Sequence, residues 1–166
     1  MKNSGDLTAG ADIREGDGRG AFFKSPALLD GLTAAFALIG LADSVYLTAG
    51  HLAGRGVRCT IVTGCNEVLS SPYAAVGGVP LAALGAAAYF TVFSLAVLSA
   101  FGHARAVRTP LAVVVGLMFA TTLWLLFVQA FLLRAFCEFC LLSAAVTLAL
   151  TAILLLRRLT RSGKTP

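Results

Sequence analysis

Charge is scarce in this sequence. Asp, Glu, Lys and Arg make up 13 % of its 166 residues, against about 25 % in soluble domains. Histidine occurs twice and tryptophan once. Hydrophobic residues reach 58 %, and mean hydropathy is +0.86. A chain of 17.2 kDa folded in water cannot hide that much apolar surface. A soluble enzyme, a disordered chain and a collagen-like fibre are excluded on that ground. The pI of about 9.4 comes from 13 Lys and Arg against 8 Asp and Glu. These cations form no stripe, which argues against nucleic acid as a partner; they sit between apolar blocks. No alternating strand pattern of the kind a membrane barrel needs is present.

What is present is a set of long apolar runs. A bilayer core about 30 Å thick needs about 20 apolar helical residues to cross it. Four stretches meet or approach this: Ala27 to Leu52, Val79 to Phe101, Pro110 to Leu133 and Cys137 to Leu156. In lipid the backbone must satisfy its own hydrogen bonds, so each run is expected to be a helix. Pro80 and Pro110 stand at block starts, where a missing N–H costs little. The expected fold is an all-α membrane protein, a four-transmembrane-helix bundle with one long outer loop.

Flanking cations give the direction. Lys24, Arg105, Arg108, Arg157, Arg158, Arg161 and Lys164 fall on one side; Arg55, Arg58 and Arg134 fall on the other. Both termini are therefore expected in the cytoplasm, and the 53–78 loop outside. Residues 1–25, Gly-rich with mixed charge, are expected to be a disordered cytoplasmic tail. Residues 26–157 form the membrane domain, and 158–166 a basic cytoplasmic tail.

There are four cysteines, Cys59, Cys65, Cys137 and Cys140, and this topology puts all four outside. An even count in an oxidising compartment suggests disulfide chemistry. Cys137 and Cys140 open the fourth helix, at a spacing that puts both sulfurs on one face. The N–H groups and partial positive charge of a helix start favour thiolate, the attacking species. Arg134 would add to this and Glu138 oppose it. Cys140 is expected to lie deeper, where it can meet a lipid-soluble partner, and Cys137 nearer water. Two static staples remain the alternative. No histidine cluster accompanies the cysteines, so no metal site is expected.

Two further residues stand out. Asp43 is costly inside a membrane segment and so a candidate for function. The bland reading is a hydrogen bond to Thr121, Thr122 or Gln129 of a neighbouring helix. His51 is placed at the outer mouth.

The stretches Cys65-Asn-Glu-Val-Leu-Ser-Ser-Pro-Tyr73 and Gly78-Val-Pro-Leu-Ala-Ala-Leu-Gly85 resemble the vitamin K epoxide reductase family. Ala42-Asp-Ser-Val-Tyr-Leu-Thr48 with His51, the Cys-x5-Cys pair and the late CxxC are similar to its bacterial branch. The resemblance runs from about Leu29 to Leu156. It implies a four-helix bundle around a quinone in the bacterial inner membrane, with a short capping helix in Asn66 to Tyr73. It implies that Cys59 meets a thioredoxin-fold thiol oxidase, Cys65 exchanges with Cys137, and Cys140 adjoins the quinone. Menaquinone and ubiquinone both fit. The chain ends ten residues after Leu156, so the partner is expected to be a separate protein. Animal members carry a Tyr where this chain has Ala144, and an Asn where it has only Val79, Pro80, Leu81 and Ala82. Ser71 near the cysteine relay, with Phe119, Trp124, Phe127, Phe136 and Phe139, is expected around the ring. The expected function is a thiol:quinone oxidoreductase supporting disulfide formation outside the cytoplasm; the rival is a membrane protein stapled by static disulfides.

Overall fold

The structure, a computed structural model, describes residues 26–54, 59 and 64–162. The expected tail 1–25, the loop residues Arg55 and Arg58, and the end 163–166 lie outside the described residues. Five α-helices are seen: α1 (Pro26–Leu52), α2 (Cys65–Leu69), α3 (Leu81–Leu98), α4 (Ala104–Phe127) and α5 (Glu138–Ser162). Four of them give spans long and apolar enough to cross a membrane: Ala27–Leu52, Leu81–His103, Arg105–Leu133 and Glu138–Thr160. This is an all-α four-helix membrane bundle, with the short helix α2 in its long loop.

Helix ends and apolar-block ends differ where polarity and helicity part company. α4 begins at Ala104 and carries Pro110 inside it, not at its start. Its first turns hold Arg105 and Arg108, which are helical but too polar to belong to the apolar run that starts at Pro110. α5 likewise runs past Leu156 through Arg157 and Arg158. Beyond Phe127, α4 widens into π-type turns over Val128–Leu133 and stops at Arg134, which is left-handed at φ 49°. Between α2 and α3 lies a feature that hydropathy does not signal. A 3-10 turn, Pro72–Ala74, leads into a two-residue hairpin pairing Ala75 with Pro80 and Val76 with Val79.

The four long helices form a ring in which α1 packs on α3 and α5, and α4 packs on the same two. Its core is Ala37, Tyr89, Val92, Leu111, Val115, Val146 and Leu150. Large apolar side chains such as Ile39, Leu117, Leu123 and Leu155 stay exposed. An exposed belt of that kind suits a lipid solvent. One end of the ring gathers the α1–α3 loop, the α4–α5 turn and all four cysteines. The other end holds the start of α1, the Phe101–Gly102 turn and the end of α5.

At that second end Arg157 of α5 bonds Asp30 of α1, and both are buried or nearly so. Removing one partner of such a pair strands the other charge, at about 3 kcal/mol or more. Arg157→Ala should therefore lower the unfolding midpoint in detergent clearly. Adding Asp30→Asn should recover part of the loss. An unchanged midpoint in Arg157→Ala would show that the pair ties nothing together.

Candidate active site

The site begins with two pieces of chain forced into contact. Gly64 crosses the α4–α5 turn so closely that a Cβ there would sit 2.8 Å from the Phe136 carbonyl oxygen. A side chain would lift the loop away. Without one, α2 settles on the start of α5, and Cys65, Val68, Ala135 and Cys137 form one buried cluster. Cys59 and Cys140 pack against it, so all four sulfurs belong to a single site. Cys59 and Cys65 are joined as a disulfide, Cα atoms 5.8 Å apart. Cys137 and Cys140 are free thiols.

Cys137 is the residue just before α5, and it caps that helix. Its carbonyl accepts the N–H of Leu141 at 3.0 Å. Its Sγ accepts the N–H of Cys140 at 3.4 Å. The Cys140 thiol bonded to that sulfur is the largest influence, and with helix N–H groups it outweighs burial. Together they pull the Cys137 thiol from 9.0 down to about 7. The sequence pointed to the N–H groups of the helix start, with Arg134 adding to them; the N–H groups of Cys140 and Phe139 do lower the value, and the Cys140 thiol contributes most.

Cys137 is not open to water. Cys137 is fully buried and Cys140 only half-buried. The reason is α2, which lies over Cys137 and hands it Cys65 as a neighbour. Cys140, one turn further on, faces a cavity of about 350 Å³ between the helices. The cavity wall is mainly apolar, with Leu47, Leu81, Leu84, Val114 and Met118 prominent in it. Ser71 borders the cavity too, its hydroxyl tied to the Val68 carbonyl at 2.7 Å. Ala144 and Pro80 to Ala82 are also wall, so those positions are apolar here.

Trp124, Phe136 and Phe139 do not border this cavity. Trp124 is 56 % exposed and stacks with Phe127, which stacks in turn with Phe131. These rings make an outward strip. Phe136 is exposed. Phe139 lies against the Tyr46 ring, centroids 5.4 Å apart, and packs on the cysteine cluster.

The polar wall of the cavity comes from residues with no motif to advertise them. The Tyr89 hydroxyl is within 3.0 Å of the Ser143 carbonyl, 2.9 Å of Ser143 Oγ and 3.0 Å of Thr147 Oγ1. Gln129 accepts the Cys137 N–H through Oε1 at 3.1 Å, which fixes the approach to α5. The one available signal was polarity inside an apolar run. From the sequence Gln129 is expected only as a partner for Asp43. It is not that partner: neither Asp43 oxygen has a hydrogen bond among the described residues.

A comparison with models of protein families settles the lineage. The model of the vitamin K epoxide reductase family matches residues 32–155. The chain belongs to that family. A search of curated proteins finds no match. The matched segment spans α1 to α5 and contains both cysteine pairs and the cavity. As a vitamin K epoxide reductase family member, the chain is a membrane redox enzyme of that kind.

Proposed function

We propose that this family member is a thiol:quinone oxidoreductase. It takes electrons from a separate thioredoxin-fold thiol oxidase and supports disulfide formation outside the cytoplasm. It works in the bacterial inner membrane, with both termini cytoplasmic and the cysteine end outward. The observation that carries this reading is the single cluster of four sulfurs with Cys140 on the wall of an apolar cavity. That cavity is within the range of about 300–1,000 Å³ usual for small-molecule sites. An apolar wall with one reactive sulfur fits a lipid-soluble ring such as menaquinone or ubiquinone.

The relay is a series of thiolate attacks on disulfides. A partner thiolate attacks Cys59, and Cys65 leaves. The partner's second thiol then displaces Cys59, and the partner departs oxidised. The Cys65 thiolate attacks Cys137 of an oxidised Cys137–Cys140 pair, and Cys140 leaves as a thiol. Cys59 next attacks Cys65, re-forming the loop disulfide and releasing Cys137. The bonds then stand as the structure has them: loop pair joined, helix pair free. A bound quinone supplies an acceptor for two electrons and two protons. Cys137 and Cys140 give these up and close their own disulfide. Cys137 contributes a sulfur whose thiol is pulled down to about 7, chiefly by the Cys140 thiol; Gln129 holds its backbone in place.

The test is quinone loss in detergent, with either a reduced thioredoxin-fold protein or dithiothreitol as donor. Wild type should consume a short-tailed benzoquinone or naphthoquinone with both donors. Cys59→Ala should lose the reaction with the protein donor and keep it with dithiothreitol. No quinone loss by wild type with either donor would overturn the reading. A stapled membrane protein would then be the better account.

A further inference from the structure

Asp30 is bonded to Arg157. Asp43, in the half of α1 nearer the cysteine end, has no comparable partner among the described residues. It is 8 % exposed, and both its oxygens are buried without a hydrogen bond among the described residues. Buried polar groups are nearly always satisfied, and a carboxyl group in a membrane helix is among the costliest to leave bare. The expected structural role was a bond to Thr121, Thr122 or Gln129. All three share the cavity wall with Asp43, and none bonds it. Gln129 Oε1 accepts from Cys137 instead. The Tyr89 hydroxyl is engaged with Ser143 and Thr147. Asp43 is thus a polar group on this wall with its bonding capacity unspent.

Its surroundings are those of the reacting sulfur. Asp43, Tyr89 and Cys140 border one cavity, with His51 two turns along α1 at its rim. From α4 the wall facing Asp43 offers Thr121, Thr122 and Gln129, none of which titrates. An ionised carboxylate with no partner costs far more in such a place than the neutral acid. The neutral acid is a hydrogen-bond donor.

We propose that Asp43 donates its hydrogen bond to a carbonyl oxygen of the quinone and carries a proton to that oxygen during reduction. This rests on the quinone reading above and names the residue that orients the ring. The balance closes without a further reagent. Cys137 and Cys140 together lose two electrons and two protons and become a disulfide. Asp43 passes its proton to the bound oxygen and is reprotonated by the proton that Cys140 loses. Cys137 releases the other proton to water, and water returns one to the second oxygen. General-acid assistance of this kind is worth about 10²–10⁴ in rate.

The experiment compares wild type, Asp43→Asn and Asp43→Ala, purified in detergent, with a short-tailed benzoquinone. Asp43→Asn keeps a donor but no transferable proton. It should bind the quinone within about threefold of wild type in equilibrium dialysis and reduce it about a hundredfold more slowly. Asp43→Ala should also lose affinity, by about tenfold. Infrared difference spectra give a readout apart from turnover. A carboxylic-acid C=O band should shift when quinone is added to wild type and be absent from Asp43→Asn. Both variants should keep or raise the wild-type unfolding midpoint, since the group they remove has no internal partner; a merely structural Asp43 predicts a fall. Wild-type affinity and turnover in Asp43→Ala, or a carboxyl band insensitive to quinone, would overturn the proposal while leaving the relay standing. Failure of wild type itself to bind or reduce quinone would overturn both.

Discussion

Cys140→Ala should stop quinone reduction, by about a thousandfold or more, and should leave Cys137 linked to Cys65. Alanine cannot close the helix disulfide, so no two-electron transfer to the cavity can finish. Cys137 retains its thiol, and Cys65 lies in the same buried cluster. Attack of Cys137 on Cys65 frees Cys59 and leaves a mixed disulfide that Cys140 would otherwise compete for. Peptide mapping without reductant should find Cys65 joined to Cys137. The same variant changes the acidity of Cys137. The Cys140 thiol is the largest cause of its lowering to about 7. Without it the value moves back toward 9.0, and the thiolate fraction at pH 7 falls about fivefold or more. The mixed disulfide should therefore form faster at pH 9 than at pH 7 in Cys140→Ala. Thiolate absorbance, followed against pH in a protein lacking Cys59 and Cys65, reads the shift directly. The sign for stability follows. A thiol whose acidity is raised by folding stabilises the fold above its unfolded value and loses that contribution as pH falls through about 7. Persistent quinone reduction by Cys140→Ala, or a Cys137 titration unmoved by the change, would contradict this assignment.

The four spans were legible because lipid leaves a crossing chain few choices. Each run had to be long, apolar and helical, and hydropathy reads all three. The cysteines were legible through their chemistry. What the apolar runs of the sequence could not show was the helical but polar start of α4 before Pro110, or the hairpin at 75–80, where two residues per strand carry no pattern. Burial of Cys137 depended on a tertiary contact, the passage of Gly64 over Phe136. The ring residues were the least legible. Aromatic side chains near the cysteines suggested a pocket, yet Trp124 and Phe136 are exposed, and small residues and leucines border the cavity. In lipid an outward aromatic is at no disadvantage, so aromaticity does not report direction. The polar wall was hidden for another reason: Tyr89 meets Ser143 and Thr147 across sequence separations of 54 and 58 residues. Only Asp43 announced itself, through cost alone.

Gly40→Ala should be among the most destabilising single substitutions in the bundle. A Cβ at Gly40 would overlap the edge of the Tyr89 ring, at Cε1, Cζ and Cδ1. That ring is 1 % exposed and belongs to the core of α1, α3, α4 and α5. It cannot simply turn aside, because its hydroxyl is held to Ser143 and Thr147 of α5. Relief requires either that α1 move away from α3 or that the ring abandon those bonds. Overpacking costs about 1–3 kcal/mol, and each hydrogen bond lost adds about 1 kcal/mol. A total of about 3–5 kcal/mol follows, readable as a large drop in the denaturing detergent needed to unfold the protein. Tyr89→Phe alone should cost only about 1 kcal/mol, since serine and threonine in a helix can bond back to the preceding turn. Tyr89→Leu removes the ring. In the double variant Gly40→Ala/Tyr89→Leu the two losses should fall short of their sum by about 1 kcal/mol or more. Additive losses would place the strain elsewhere. The consequence reaches the cavity, because Asp43 stands one helical turn beyond Gly40 on α1, and Tyr89 borders the same cavity. Displacing the ring moves that wall relative to Cys140. Those Gly40→Ala molecules that do fold should therefore exchange thiols between Cys65 and Cys137 normally and reduce quinone poorly. That split separates the sulfur relay, which depends on α2 and the start of α5, from the cavity, which depends on how closely α1 approaches α3.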